Sequence, residues 1–527
     1  MSLKPTKVPL TVKEFEEERI GLCAGCGCAC GYIAYIKDNK LVDLYGHPAD
    51  PRGVGSLCTK GITYIQQATY NPLRLRGVFL RRGEEFVKIG HEEAIRTIGE
   101  RLKKGRTAFL LGRQAGLEEY VLARDTGEVF VDTPVVDFLP STLKPTQWKE
   151  AKFILSVDTE PVFSEVMATR WLVDAVERGA YLFCLSSRYE TLCAKAKERL
   201  LLKPDLIIEF LQKLISPEKE EAKAEFVKRN LYLLKGSLVL IGTGILASPF
   251  RKALLHILSQ LRKKYGVNYS LVGDVMPFKA EELDRFVERL EEFDNIVVVG
   301  NLFRYLRDEH LEALRSKLVI SFQSFPNLTA HHSDLVFAST MFHERDFINY
   351  RHGFGYLAYS QKAIQPDEET YNPYEVLSHI LGRTADLEGF LSELCVDAGK
   401  LREEGEQNLK LPSIEDAELT PGGFKGSELF LYVDTSLVEE LGHWNPWTHE
   451  MEKEQRARIN PETARRLGIK DRIKLRGVEL EVQLDSNIAK GLVFVPSEYD
   501  EFQPFDPGHR VGKLLNSPSN RYEVIEW

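Results

Sequence analysis

Four of the chain's eight cysteines fall within eight residues, Cys23, Cys26, Cys28 and Cys30, and a fifth, Cys58, follows after 27 intervening residues. No other feature restricts the fold as strongly. In the spacing C-x2-C-x3-C, two residues between thiols make a tight turn that lets both sulfurs face one centre. Gly25, Gly27 and Gly31 supply the backbone freedom that such a wrapped loop needs. Four thiolates suit either a [4Fe-4S] cube or a structural zinc. Zinc sites usually come as two short knuckles, whereas here a triplet is followed by one distant cysteine, and that asymmetry favours the cube. On this reading Cys23, Cys26, Cys30 and Cys58 are the metal ligands. Cys28 is a bystander, because a four-ligand centre has no vacancy for it. Cys184, Cys193 and Cys395 read as small core residues.

The 527 residues are 43% hydrophobic and 28% charged, so a large core is feasible and disulfides are not needed for stability. Clustered thiols in such a chain more often bind metal than pair with one another. Lys+Arg 69 against Asp+Glu 78 gives a net charge of -9, which argues against a dedicated nucleic-acid binder. The opening MSLKPTKVPLTVKEFEEERIG has neither an apolar core nor twin arginines, and no apolar run approaches the roughly 20 residues that span a bilayer. A cytoplasmic location with no direct membrane span is therefore expected.

Alternating apolar residues on both sides of Asp38-Asn39 predict a β-hairpin between Cys30 and Cys58. In HEEAIRTIGERLKK, Ala94, Ile95, Ile98 and Leu102 recur at helical spacing. Buried strands follow at TAFLLG (from Thr107), FILSVD (from Phe153), AYLFCLSS (from Ala180), SLVLIGTG (from Ser237), NIVVVGN (from Asn295) and KLVISFQSF (from Lys317), with helical stretches between them. Apolar strands alternating with helices mean parallel, doubly wound sheets. The fold class is therefore α/β.

The cysteine spacing, the hairpin and the run Leu57-Cys58-Thr59-Lys60-Gly61 together resemble the N-terminal cluster domain of the molybdopterin oxidoreductase superfamily. Formate dehydrogenases, formylmethanofuran dehydrogenases and the large iron-sulfur subunit of respiratory complex I belong to it. The resemblance implies a small [4Fe-4S] β domain (1–75), two doubly wound lobes (76–235 and 236–395), a linker (396–426) and a C-terminal double-psi β-barrel (427–527). Lys60 matches the lysine that lies between cluster and pterin in the family, on the electron path. Ser156-Val157-Asp158-Thr159-Glu160-Pro161 is similar to a G-x-N-P loop, and Ser187-Arg188-Tyr189-Glu190-Thr191 to a D-P-R-x-T loop. Lys203-Pro204-Asp205 stands where the family has P-G-x-D. Asp158, Arg188 and Asp205 are thereby implied contacts of one pterin guanine dinucleotide. Asp334, Glu344 and Asn349 match segments that floor a second. GHWNPWTHE resembles the loop through which the barrel meets pterin, which brings in Trp444 and Thr448. INPETARRLGIKD matches the barrel motif itself.

The family's usual protein ligand to Mo or W is missing. No cysteine lies between Cys58 and Cys184, and Phe138 and Leu139 stand where formate dehydrogenases carry a Cys-His pair. Asp137 is the nearest candidate for a carboxylate ligand, with Ser141 and Thr142 behind it. Two readings follow. In one, the chain carries Mo or W on molybdopterin guanine dinucleotide and passes electrons through its cluster. In the other, the fold is kept without the metal, as a relay and scaffold. A zinc-bearing interaction protein is a remote third. A single cluster has nowhere to send electrons within the chain, so a ferredoxin-like or flavoprotein partner is implied.

Overall fold

The computed structural model describes residues 14–526, apart from 190, 418, 420, 421 and 423–425. Most of the opening segment and part of the expected linker lie outside these residues. No described helix is long and apolar enough to cross a membrane.

The cysteine loop hangs between the first two strands of a three-stranded antiparallel sheet, Glu17–Leu22, Gly31–Lys37 and Lys40–Gly46. Asp38 and Asn39 both adopt left-handed backbone, with φ of 50° and 60°. That is the two-residue hairpin turn whose twist matches the strands it joins. Cys58 immediately precedes the short helix Thr59–Ile62.

Two parallel sheets form the body. The five-stranded one has the spatial order Glu198–Leu201, Tyr181–Ser186, Phe153–Val157, Leu238–Gly242, Asn268–Val272. The eight-stranded one runs Glu281–Glu282, Glu128–Val131, Thr107–Leu111, Asn295–Val299, Leu318–Gln323, Leu335–Ala338, and ends in the antiparallel pair Val78–Arg82 and Glu85–Ile89. The central strands are buried on both faces, as their unbroken apolar runs require.

These sheets do not respect a cut at residue 235. Leu238–Gly242, assigned from sequence to the second lobe, pairs in parallel with Phe153–Val157 of the first. Thr107–Leu111, assigned to the first, pairs with Asn295–Val299 of the second. The five-stranded unit is in effect inserted into the eight-stranded one. Each sheet winds outward from its first parallel strand, Phe153–Val157 or Thr107–Leu111, and then returns to that strand's other side. Periodicity marks a strand but not its neighbour.

The expected linker also begins as structure. Ala398–Glu404 is a helix capped by Asp397, and Glu406–Asn408 pairs antiparallel with Tyr356–Ser360. Buried Leu401 gives this segment an apolar anchor that its charged sequence obscured. Cys395, expected in a core, is exposed. The C-terminal part carries a six-stranded mixed sheet, in the order Arg472–Leu475, Val478–Leu484, Ala457–Ile459, Leu492–Pro496, Phe430–Asp434, Tyr522–Val524.

Candidate functional site: a cysteine loop beside a switch-point cleft

In each parallel sheet the strand order reverses at one place, and there two adjacent strands send their loops in opposite directions. In the five-stranded sheet it lies between Phe153–Val157 and Leu238–Gly242. In the eight-stranded sheet it lies between Thr107–Leu111 and Asn295–Val299. Both reversal points open onto the same cleft, which is partly open to solvent. Asp158, Gly242, Thr243, Gly112, Arg113, Gly300 and Asn301 come to it from these four strand ends. The crossings are tight. A Cβ on Gly242 would sit 1.9 Å from the Asp158 carbonyl oxygen. The C-terminal part adds Tyr432 and Asp434 from its sheet, and Thr435, Glu439, Glu440, Ser497 and Glu498 from the segments that follow two of its strands.

The cysteine loop lies next to the cleft. Cys23, Cys26 and Cys30 are buried and Cys58 is partly so. The loop is closed by the Cys23 N–H donating to the Cys30 carbonyl at 2.8 Å. Asp50 braces its end by accepting from the Gly31 and Gly53 amides at 2.9 and 2.7 Å. Burial pushes the thiols of Cys23, Cys30 and Cys58 up, and the thiolate charge of Cys26 pushes each of them further. Cys26 alone is lowered, to about 6, by a hydrogen bond from Cys28 against its burial, helped by Lys60 and Arg113. Four thiols whose ionised forms oppose one another are what a cationic centre relieves, and the set fits an iron-sulfur cube. Cys28 lies beside Cys26, with its Sγ 3.7 Å from Glu165 Oε2.

Between loop and cleft is a junction of charges. Lys60 Nζ donates to the Ser164 carbonyl at 3.0 Å and to the Glu439 carboxylate. Burial opposes its charge, but Glu439 more than offsets this and lifts Lys60 above an ordinary lysine. Tyr64 donates to Glu439 at 3.2 Å. Arg113 reaches the Gly25 carbonyl at 2.7 Å, Glu439 at 3.1 and 3.2 Å, and Asp274 at 2.7 Å. Ser164, Tyr64, Arg113, Asp274 and Glu439 all line the cleft.

Of the residues singled out from sequence, Asp158 and Arg188 line the cleft. Asp158 accepts from Ser187 N at 2.8 Å and from the Tyr522 hydroxyl at 2.5 Å. Arg188 donates to the Thr435 carbonyl at 3.1 Å and lies over the Phe494 ring. The others are placed elsewhere. Asp205 accepts from Lys203 at 2.9 Å and from the Ser427 amide. Asp334 accepts from the Val319 amide. Glu344 forms a two-pronged pair with Arg74. Asn349 braces the cysteine loop by donating to the Cys26 carbonyl at 3.1 Å. Trp444 is buried against Phe325, and Thr448 donates to the Gly442 carbonyl. Asp137 is exposed and is not among the residues lining the cleft.

Sequence reasoning missed Arg113, Asp274, Glu439 and Glu440. The first two had a signal: each follows a glycine at the end of a buried strand, where ligands of such sheets bind. The glutamates had none.

The cleft suits a pterin dinucleotide in its donor set. Glu160 and Asp274 line it, and each has a buried carboxylate oxygen with no partner among the described residues. These oxygens are acceptors for the N–H edges of pterin and guanine rings. Arg188 and Arg521 reach the same space, Arg521 through bonds to the carbonyls of Asn520 and Asp132. Guanidinium groups and strand-end amides are what a diphosphate needs. Among the described residues that line the cleft there is no cysteine.

Residues 20–71 match the family model described as the molybdopterin oxidoreductase Fe4S4 domain. The chain is 23% identical over 233 residues to the alpha chain of F420-dependent formate dehydrogenase 2 from Methanococcus maripaludis, covering 40% of this chain and 34% of that one. It is 23% identical over 234 residues to the alpha chain of formate dehydrogenase 2 (cytochrome c-553) from Nitratidesulfovibrio vulgaris, covering 37% and 23%. The matches thus span about a third or less of these relatives' length. Acetylene hydratase from Pelobacter acetylenicus has the same fold, with a TM-score of 0.67 over 94% of this chain and 96% of that one, at 13% identity. Residues 20–71 thus carry the molybdopterin oxidoreductase Fe4S4 domain, and beyond them the likeness is one of partial sequence similarity to formate dehydrogenase alpha chains and of a fold shared with acetylene hydratase.

Proposed function

We propose that the chain is the cluster-bearing catalytic subunit of a formate dehydrogenase-like oxidoreductase. Cys23, Cys26, Cys30 and Cys58 hold a [4Fe-4S] cluster, and the cleft holds Mo or W on pterin guanine dinucleotide. The observation that carries this is Lys60. Two residues past Cys58, its buried ammonium spans from the cysteine loop to Ser164 and Glu439 in the cleft wall. A pterin-held metal supplies a two-electron centre when bound, and the cube takes electrons singly.

The protein's own residues supply the rest. Lys60 holds a fixed cation between the two centres. Glu160 and Asp274 orient rings through their unshared oxygens, and Arg188 and Arg521 face the phosphates. Glu440 can hold or release a proton near neutrality, because burial lifts its carboxyl to about 7. The six-stranded C-terminal sheet reads as the double-psi barrel that covers the cofactor. Electrons leave through a separate ferredoxin-like or flavin-bearing protein.

One observation favours the relay reading instead. The cleft lining offers no cysteine among the described residues, and Asp137 stands outside it. Metal analysis of anaerobically purified protein separates the two. Iron near four atoms per chain together with Mo or W and released pterin supports the catalytic reading. The same iron with neither metal nor pterin leaves the relay. Zinc without iron removes both.

A further inference from the structure

We infer that Arg113, held between the cysteine loop and the cleft wall, sets the reduction potential of the cluster through its fixed positive charge. The inference rests on the reading of the four cysteines as cluster ligands. Its basis is one side chain with three anchors from distant parts of the chain. Nη1 donates at 2.7 Å to the carbonyl of Gly25, the residue before Cys26. The same nitrogen meets both Glu439 oxygens, and Nε meets Asp274 at 2.7 Å. Burial opposes the guanidinium's charge, and the two carboxylates restore it. The cation is therefore held against the loop by these three anchors.

Reduction adds one electron to the cluster and nothing else, so any fixed charge nearby biases the couple. Arg113 and Lys60 favour the reduced form, whereas Glu439 and Asp274 oppose it. A unit charge about 10 Å away at an effective dielectric near 20 is worth roughly a tenfold change in the equilibrium. Because Glu439 and Asp274 also line the cleft, whatever occupies the cleft acts on the cluster through this same group.

The test is a dithionite titration of the anaerobic holoprotein with redox mediators, followed by the electron paramagnetic resonance signal of the reduced cluster. Arg113→Gln should raise the oxidised-to-reduced ratio at fixed potential about tenfold, a fall of about 59 mV for a one-electron couple. Arg113→Lys, which keeps the charge, should recover most of that shift. Glu439→Gln should move the potential upward. A full complement of iron in Arg113→Gln with an unchanged potential would overturn the inference. So would a fall in Arg113→Lys as large as in Arg113→Gln, since geometry alone would then be responsible. If Arg113→Gln retains no iron, Glu439→Gln decides: a rise supports the inference, and no change or a fall overturns it. Wild-type protein without iron would refute the cluster assignment itself.

Discussion

Glu344 matches a family segment that floors a pterin site, yet here it faces Arg74. Arg74 Nη1 and Nη2 donate to its two oxygens at 2.7 and 2.6 Å, and both side chains are 1% exposed. Glu344 Oε2 also accepts from the Met341 amide at 2.7 Å. Burial raises the Glu344 carboxyl, but the Arg74 hydrogen bonds and charge overcome that and hold it below an ordinary glutamate. Glu344→Ala would leave a buried guanidinium with only the carbonyls of Thr69 and Ser339 as acceptors. Removing one partner of such a pair costs about 3–5 kcal/mol, more than a hundredfold in the population of locally opened molecules. Replacing both, as Arg74→Met with Glu344→Leu, removes the stranded charge and should return to within about 2 kcal/mol of wild type. The depressed carboxyl contributes stability above the unfolded glutamate range and loses it as pH falls through the folded value, so the difference should shrink in acid. Pulse proteolysis across a urea series reads the opening without assuming two-state unfolding of so large a chain. A cost under about 1 kcal/mol for Glu344→Ala, or a double variant as unstable as the summed singles, would refute a structural role for the pair. Loss of bound pterin with no loss of stability would return Glu344 to the cofactor.

Replacing Cys58 with Ser should remove most of the iron, while the same change at Cys28 should leave it, as elemental analysis of both proteins will show. Gly242→Ala should expel the Asp158 loop from its crossing and cost more than about 1 kcal/mol, because the new Cβ would lie 1.9 Å from a backbone oxygen; thermal unfolding measures this. Burial lowers His343 to about 4 and His352 and His443 to about 3, so the unfolded chain binds protons that the folded one refuses. Stability should therefore fall as pH drops below the ordinary histidine value, by about 1.4 kcal/mol per pH unit for each of the three. A urea midpoint that does not move between pH 6.5 and 5 would contradict it.

The strands were legible because burial on both faces writes itself as an unbroken apolar run. TAFLLG became Thr107–Leu111, and NIVVVGN became Asn295–Val299. The hairpin was legible because Asp38-Asn39 is a pair that tolerates left-handed backbone. Pairing was not legible. Leu238 to Gly242 carries the same pattern whether it neighbours Phe153 or Asn295, and the choice rests on crossovers that leave no local mark. The cysteine loop could be read because its members are adjacent in sequence. Motif matching placed Asp158 and Arg188 at the cleft, and put Glu344, Asn349 and Asp334 into a cofactor role while the fold gives each an internal partner.

What escaped has a common cause. Arg113, Asp274 and Glu439 are separated by more than 150 residues each, and none belongs to a recognisable spacing. They meet because the nesting of one parallel sheet inside the other brings both reversal points to a single space. A C-terminal segment then supplies the carboxylate on which Lys60 and Arg113 converge. If the two lobes were consecutive, as a linear reading has it, Leu111 and Val299 would belong to different sheets. The two reversal points would then not face one cleft, where Arg113 and Asp274 now meet. The interleaving that the sequence concealed is therefore what places a charged link between the cysteine loop and the cleft. Separating these lobes as independent fragments, cut at residue 235, should yield neither sheet intact.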